Sequence, residues 1–310
     1  MFDLPAPVGT PWRGGNGSRP VHRDPLHVLS DRPVQRAHHR LHADRRPCSC
    51  RADPVRAAGL CRRAAAPDAE VAAMSLLSTK DLSRHFGGLK AVESVDFDLP
   101  AGQVRALIGP NGAGKTTFVG MLSGRIPASR GQVVFDGRDV TTESAHRRIR
   151  AGMAYTFQIT SVYGRLPVTE NVALAMRWRT GGDEAEMRRR VAEALERVGI
   201  ADRADQLAGD LSYGHQRLLE IAMGLSQTPR LLILDEPTQG LADSEIVDFI
   251  ALIRSLAGEM TILLIEHNIN VVMETADVIT VLNSGQVLAE GTPDEIRANA
   301  AVQAAYLGTG

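Results

Sequence analysis

The chain has 310 residues, 35 basic and 36 acidic side chains, a formal charge of −1, and 44% hydrophobic residues. That length admits one large domain or two small ones, and the charge balance lacks the basic excess of a nucleic-acid-binding surface. The longest apolar runs, such as Thr261 to Ile265, are strand-sized and far short of the ~20 residues that span a bilayer, so any membrane role must come through a partner.

The composition breaks near Met74. Residues 1–73 hold 12 Arg, no Lys, 9 of the 16 Pro and all three Cys, with neither helical nor strand periodicity. Such a stretch buries too little apolar surface to offset the entropy of ordering its backbone, so a disordered extension is expected there. Its five His and three Cys fit no zinc-ligand spacing. It has no apolar run of signal-peptide type, and acidic residues throughout argue against a transit peptide. Arg supplies 32 of the 35 basic residues of the chain, the mark of GC-rich coding DNA. The expectation is that Met74 is the true start and that the upstream residues come from a mis-assigned one. Residues 74–310 carry 23 basic and 29 acidic side chains, and their length is ample for a sizeable core.

Over residues 76–99, two stretches of alternating apolar residues flank Gly87-Gly88 and predict paired strands. Val104–Ile108 reads as a buried strand that feeds a glycine-rich loop and then a helix from 115 to about 123. A strand is expected over 132–136, stopped by Gly137. Residues 183–198 show an apolar stripe with acid/base pairs four apart, predicting a helix. Another helix is expected to start at Ser212, a good N-cap, and to run to 225. The runs 231–234 and 262–265 are almost wholly apolar, as in parallel strands covered on both faces, with a helix over 243–257 between them. Residues 278–282 and 286–289 straddle Ser284-Gly285 as a hairpin. The expected fold class is α/β, a P-loop core with an antiparallel β subdomain and an inserted helical subdomain at about 159–226.

The loop Gly109-Pro110-Asn111-Gly112-Ala113-Gly114-Lys115-Thr116 is a phosphate-binding pattern in the strand-to-helix context that gives it meaning. Its glycines let backbone N–H groups turn onto phosphate oxygens, and the following helix N-terminus adds partial positive charge. Lys115, one of only three lysines in an Arg-rich chain, supplies a compact charge to the β- and γ-phosphates. Thr116 is expected on Mg²⁺ and Thr117 on the α-phosphate. Asp235 and Glu236 end an apolar strand. Asp235 is the candidate to hold Mg²⁺ through water, and Glu236 the candidate general base or water-orienting group.

Leu211-Ser212-Tyr213-Gly214-His215-Gln216 lies between that loop and that acidic strand end. The three segments in this order resemble the ATPase subunits of ATP-binding cassette (ABC) transporters, and the resemblance covers essentially all of 76–310. It implies binding of ATP with Mg²⁺ and ATP hydrolysis. It also implies that Ser212, Gly214 and Gln216 of one subunit close over the nucleotide of another, with Asp243 in the loop facing the partner. Tyr213 and His215 depart from the commonest form of this signature; the phosphate-contacting positions Ser212 and Gly214 remain. The resemblance further implies that Gln158 reaches the metal and the attacking water, and that His267 donates to the γ-phosphate. Phe86 is a candidate to stack on adenine, with a core aromatic as the alternative reading.

Arg84 to Ala91, Leu211 to Met223, Ile265-Glu266-His267 and Ala305-Tyr306-Leu307-Gly308 are similar to the branched-chain amino-acid importer ATPases in particular. That likeness implies two membrane permeases, a second ABC ATPase and, indirectly, a substrate-binding protein. It implies a peripheral place on the cytoplasmic face of the bacterial inner membrane, with permease contacts within 160–178. The alternatives are the ATPase of a lipopolysaccharide-export system and a soluble ABC ATPase outside transport. The soluble kind usually carries two cassettes or a long coiled coil, and neither pattern occurs in this sequence.

Overall fold

A computed structural model describes residues 75–156 and 161–307. In chain order the strands are β1 (Ser75–Phe86), β2 (Leu89–Pro100), β3 (Val104–Ile108), β4 (Arg130–Phe135), β5 (Arg138–Asp139), β6 (Met153–Thr156), β7 (Leu231–Asp235), β8 (Thr261–Ile265), β9 (Val278–Asn283) and β10 (Gln286–Gly291). The helices are α1 (Lys115–Leu122), α2 (Ala145–Ala151), α3 (Val168–Thr180), α4 (Glu184–Arg197), α5 (Tyr213–Leu225), α6 (Asp243–Leu256), α7 (Ile269–Thr275), α8 (Pro293–Ala298) and α9 (Ala300–Leu307).

The strands form two sheets. One is antiparallel, in the order β2-β1-β4-β5, with Phe86 opposite Leu89 across the Gly87-Gly88 turn. The other runs β10-β9-β3-β8-β7-β6; its five strands β9, β3, β8, β7 and β6 are parallel, and β10 closes the edge as an antiparallel hairpin with β9. The apolar runs explain themselves here. Leu232, Leu234, Ile262 and Leu264 face a core shared with α3, α4 and α5, while Leu231, Ile233, Leu263 and Ile265 face the opposite core around Phe118 and the antiparallel sheet. A two-residue period buried on both sides leaves no polar position.

Local signals set the helix starts. Asp183 Oδ1 accepts from the amides of Ala185 and Glu186, both at 3.0 Å, and fixes the start of α4. Ser212 Oγ accepts from His215 N at 3.3 Å and starts α5 at the expected place. Thr292 and Glu295 cap α8 reciprocally, with Pro293 at its first position.

Some boundaries shift from the sequence expectation. The strand expected over 132–136 spans Arg130–Phe135, because Asp136, at φ 51°, already belongs to the turn with Gly137. Helices α2 and α3 were not signalled: α2 is short and largely basic, and α3 follows Pro167 without a side-chain cap. With α4 and α5, α3 fills the stretch between β6 and β7. Among the described residues no helix is long and apolar enough to cross a membrane.

Candidate nucleotide site

The candidate residues gather at the carboxyl ends of neighbouring parallel strands, where open α/β sheets bind ligands. Gly109 follows β3, Asp235 closes β7, Glu266 and His267 follow β8, and Ser284 follows β9. A cavity of about 560 Å³ opens there, lined by Leu89, Lys90 and Ala91, by Asn111 through Thr117, and by Glu236 and Ser284. A more apolar groove of about 410 Å³ lies between α3 and α4, around Leu174, Met187 and Val191. It contains none of the phosphate-loop residues, so the chemistry assigns the site to the first cavity.

The loop cannot carry side chains at its tightest points. A Cβ on Gly109 would stand 2.2 Å from the carbonyl oxygen of Leu282, and one on Gly114 would stand 2.4 Å from that of Ala91. Gly114 also has φ 98°, a left-handed conformation that glycine alone takes freely. Its carbonyl accepts from Phe118 N at 2.8 Å as α1 begins, so the free amides of the first turn face the cavity. Lys115 Nζ folds back onto the carbonyls of Gly109 (2.6 Å) and Pro110 (3.2 Å). Burial holds this ammonium below the usual lysine range, while the Glu236 and Asp235 charges act in the opposite sense. A buried cation held on neutral carbonyls gains when an anion enters.

The far end of α1 is anchored too. Arg148, 2% exposed, donates through Nη1 to the carbonyls of Met121 (2.7 Å) and Leu122 (2.6 Å), and through Nη2 to that of Thr141 (3.0 Å). A guanidinium on the last carbonyls of a helix satisfies orphan acceptors and opposes the negative end of the dipole.

Asp235 is buried, and Tyr155 Oη, from the end of β6, donates to its Oδ2. Burial pushes the Asp235 carboxyl up, against the lowering effect of the Tyr155 hydrogen bond, with Glu236 adding to the rise. Burial and the adjacent Asp235 push the Tyr155 phenol above its ordinary range. Glu236 has φ 47°, a strained conformation for a side chain of its size, and its amide donates to Ile265 O at 2.9 Å. That turn aims Glu236 at the cavity. His267 stands exposed after β8, with Nδ1 3.9 Å from Glu266 Oε2.

The remaining candidates lie elsewhere. Ser212, Gly214 and Gln216 do not line the cavity of their own chain. Ser212 Oγ lies 2.6 Å from His215 Nδ1, and the Gln216 amide donates to the carbonyls of Ala208 (3.2 Å) and Leu211 (3.3 Å), which braces the turn. Gly214 abuts Glu245 of α6, where a Cβ would stand 2.2 Å from Oε1. Asp243 is the first residue of α6. Phe86 is 45% exposed, so the core reading of this ring does not hold; Arg84 lies 4.5 Å from its centroid, and the cavity wall beside it is made by Leu89, Lys90 and Ala91. Gln158 lies outside the described residues. Sequence reasoning missed Tyr155 and Ser284, which the sheet order alone brings to the site.

A glycine loop between a central parallel strand and a helix, facing an acidic strand end, defines a P-loop nucleotide-binding protein. The family described as ABC transporter matches residues 92–239, and the one described as branched-chain amino acid ATP-binding cassette transporter matches residues 286–310. The high-affinity branched-chain amino acid transport ATP-binding protein BraF of Pseudomonas aeruginosa is 38% identical over 249 residues, which covers 75% of this chain and 98% of that protein. The LivG protein of Escherichia coli, of the same description, gives the same identity and coverage. Among solved structures, a nucleotide-free ATP-binding cassette from an ABC transporter matches with a TM-score of 0.69 at 28% identity, over 75% of this chain and 99% of that one. The ADP conformation of an ATP-binding cassette of an ABC transporter matches with a TM-score of 0.68 at 28% identity, over 76% and 99%. The chain belongs to the ATP-binding subunits of the ABC transporter family and is an ATPase.

Proposed function

We propose that this chain hydrolyses ATP to drive an ABC importer for branched-chain amino acids or related small polar solutes. The observation that carries the reading is the single cavity in which Lys115, Thr116, Thr117 and Glu236 meet. Lys115 and the amides of the loop bind the phosphates. The Thr116 hydroxyl and the Asp235 carboxylate are hard oxygen donors of the kind Mg²⁺ takes, and Asp235 ends β7, which β8 alone separates from β3, the strand that feeds the loop. Bound there, Mg²⁺ would neutralise charge on the β- and γ-phosphates. Glu236 accepts the proton of the attacking water or orients it, His267 donates to the γ-phosphate, and Gln158, outside the described residues, is assigned to the metal and the attacking water.

Ser212 and Gly214 are set at the N-terminus of α5 and do not line their own chain's cavity, which fits a role across a two-fold axis on the nucleotide of a second ABC ATPase. Two permeases dock on the helical stretch, where Tyr163, Leu174 and Trp178 are exposed within 160–178. The chain is then peripheral, on the cytoplasmic face of the bacterial inner membrane, and a substrate-binding protein delivers the solute to the permeases. Uptake of radiolabelled leucine in cells carrying either the parent chain or Glu236→Gln tests the reading. Equal uptake would overturn it, and loss of leucine uptake with the variant supports it.

A further inference from the structure

We propose that Tyr155 is a positioning residue for the carboxylate of Asp235, fixing it for the metal that accompanies the nucleotide. The inference rests on the reading of Asp235 as the metal-holding carboxylate. Tyr155 is the third residue of the four-residue edge strand β6, where it pairs in parallel register with Ile233. From there its phenol reaches across to the end of β7 and donates to Asp235 Oδ2. The ring is itself held. The Arg125 guanidinium lies 3.9 Å from its centroid, and Arg125 Nε donates to Ser123 Oγ at 3.0 Å, at the exit of α1. A chain of contacts therefore runs from the end of the phosphate-loop helix, through Arg125 and Tyr155, to the carboxylate.

The physical consequence concerns orientation. A buried carboxylate with a polar partner on one oxygen has a fixed plane, and its other oxygen stays free to accept from a metal-bound water. Without the phenol, the carboxylate turns about its last torsion, and part of the binding free energy goes into ordering it. Hydrogen-bond partners of metal-holding groups commonly change metal affinity by 10–100-fold when removed. Tyr155→Phe deletes only the hydroxyl and leaves the ring beneath Arg125.

The experiment measures the affinity of the full chain for a fluorescent ATP analogue in EDTA and in excess Mg²⁺, and takes the ratio. In Tyr155→Phe the ratio is expected to fall about tenfold, with affinity in EDTA within twofold of the parent. Asp235→Asn serves as the reference for a lost metal site. If the parent shows no gain from Mg²⁺, the metal reading of Asp235 fails. If the parent gains and Tyr155→Phe gains equally, the positioning role fails and the metal reading stands. If Tyr155→Phe also loses affinity in EDTA, Tyr155 shapes the loop as a whole, and the inference is overturned in favour of a structural role.

Discussion

Glu266, fully buried, accepts from both the amide (2.9 Å) and the hydroxyl (2.6 Å) of Thr238 through one carboxylate oxygen. Its second oxygen accepts from the amides of His267 (3.1 Å) and Asn268 (3.3 Å). One side chain thus ties the turn after Glu236 to the turn that carries His267, so the two candidate catalytic groups share an anchor. Glu266→Ala leaves four donors without that acceptor and is expected to destabilise the fold by about 2–4 kcal/mol, since a buried donor left unsatisfied costs ~1–3 kcal/mol and several are affected. Urea unfolding checks it; an unchanged midpoint would show that solvent replaces the carboxylate at no cost.

Lys115→Ala removes the buried cation from the phosphate loop. A charge-assisted hydrogen bond contributes about 1.5–3 kcal/mol, so ATP affinity is expected to fall roughly 10- to 100-fold. Fluorescent-nucleotide titration measures this directly, and parent-like affinity would remove Lys115 from the site.

Glu236→Gln keeps the shape of the side chain and loses its capacity to take a proton. ATP binding is expected to persist, while turnover falls by the ~10²–10⁴-fold associated with a lost general base. If Ser212 and Gly214 close over the γ-phosphate of a second subunit, the variant accumulates as an ATP-dependent dimer. Light scattering with and without ATP, with the isolated chain and with its partner ATPase, decides the matter; a variant that stays monomeric in both rules out the closed dimer.

Glu220 of α5 forms a buried pair with Arg217 at 2.9 Å and accepts from Ser161 N at 2.6 Å, joining the signature helix to the segment that leads into α3. Breaking such a pair from one side typically costs about 3–5 kcal/mol, so Glu220→Ala is expected to unfold at clearly lower denaturant than the parent. Burial raises the Glu220 carboxyl, with Ser161 N and Arg217 opposing. The native state therefore holds the proton to higher pH than the unfolded chain does. The Glu220 contribution to stability is largest below the ordinary glutamate range and declines as pH rises through the raised value. The stability difference between parent and Glu220→Gln should shrink over that window; a difference independent of pH would contradict it.

Residues 74–310 are proposed to contain the whole cassette. A chain beginning at Met74 is expected to bind and hydrolyse ATP at the parent's rates and to melt within a few degrees of it. A large fall in either measurement would assign residues 1–73 a part in the fold.

The sequence by itself determined the elements whose chemistry is local. The strand β3, the glycine loop and the start of α1 follow from spacing alone, because conformational freedom at Gly109 and Gly114 and the charge of Lys115 act within a few bonds. Ser212 announced its helix for the same reason: its cap is a contact with His215, three residues on. The apolar runs of β7 and β8 announced strands covered on both faces. Only the tertiary structure decided which distant residues meet. Tyr155 reaches Asp235, Glu266 reaches Thr238, and Ser284 reaches the loop because parallel pairing sets β6 beside β7, β7 beside β8, and β9 beside β3. Nothing in a stretch of sequence encodes its neighbour in a sheet. The same reason decides against the core alternative for Phe86: alternation gives the strand, but the position of the β1–β2 turn relative to the loop is fixed by long-range contacts such as Glu93 N to Gly285 O at 2.9 Å. Sequence patterns carry short-range geometry, and the partner choice of strands rests on burial summed over the whole core.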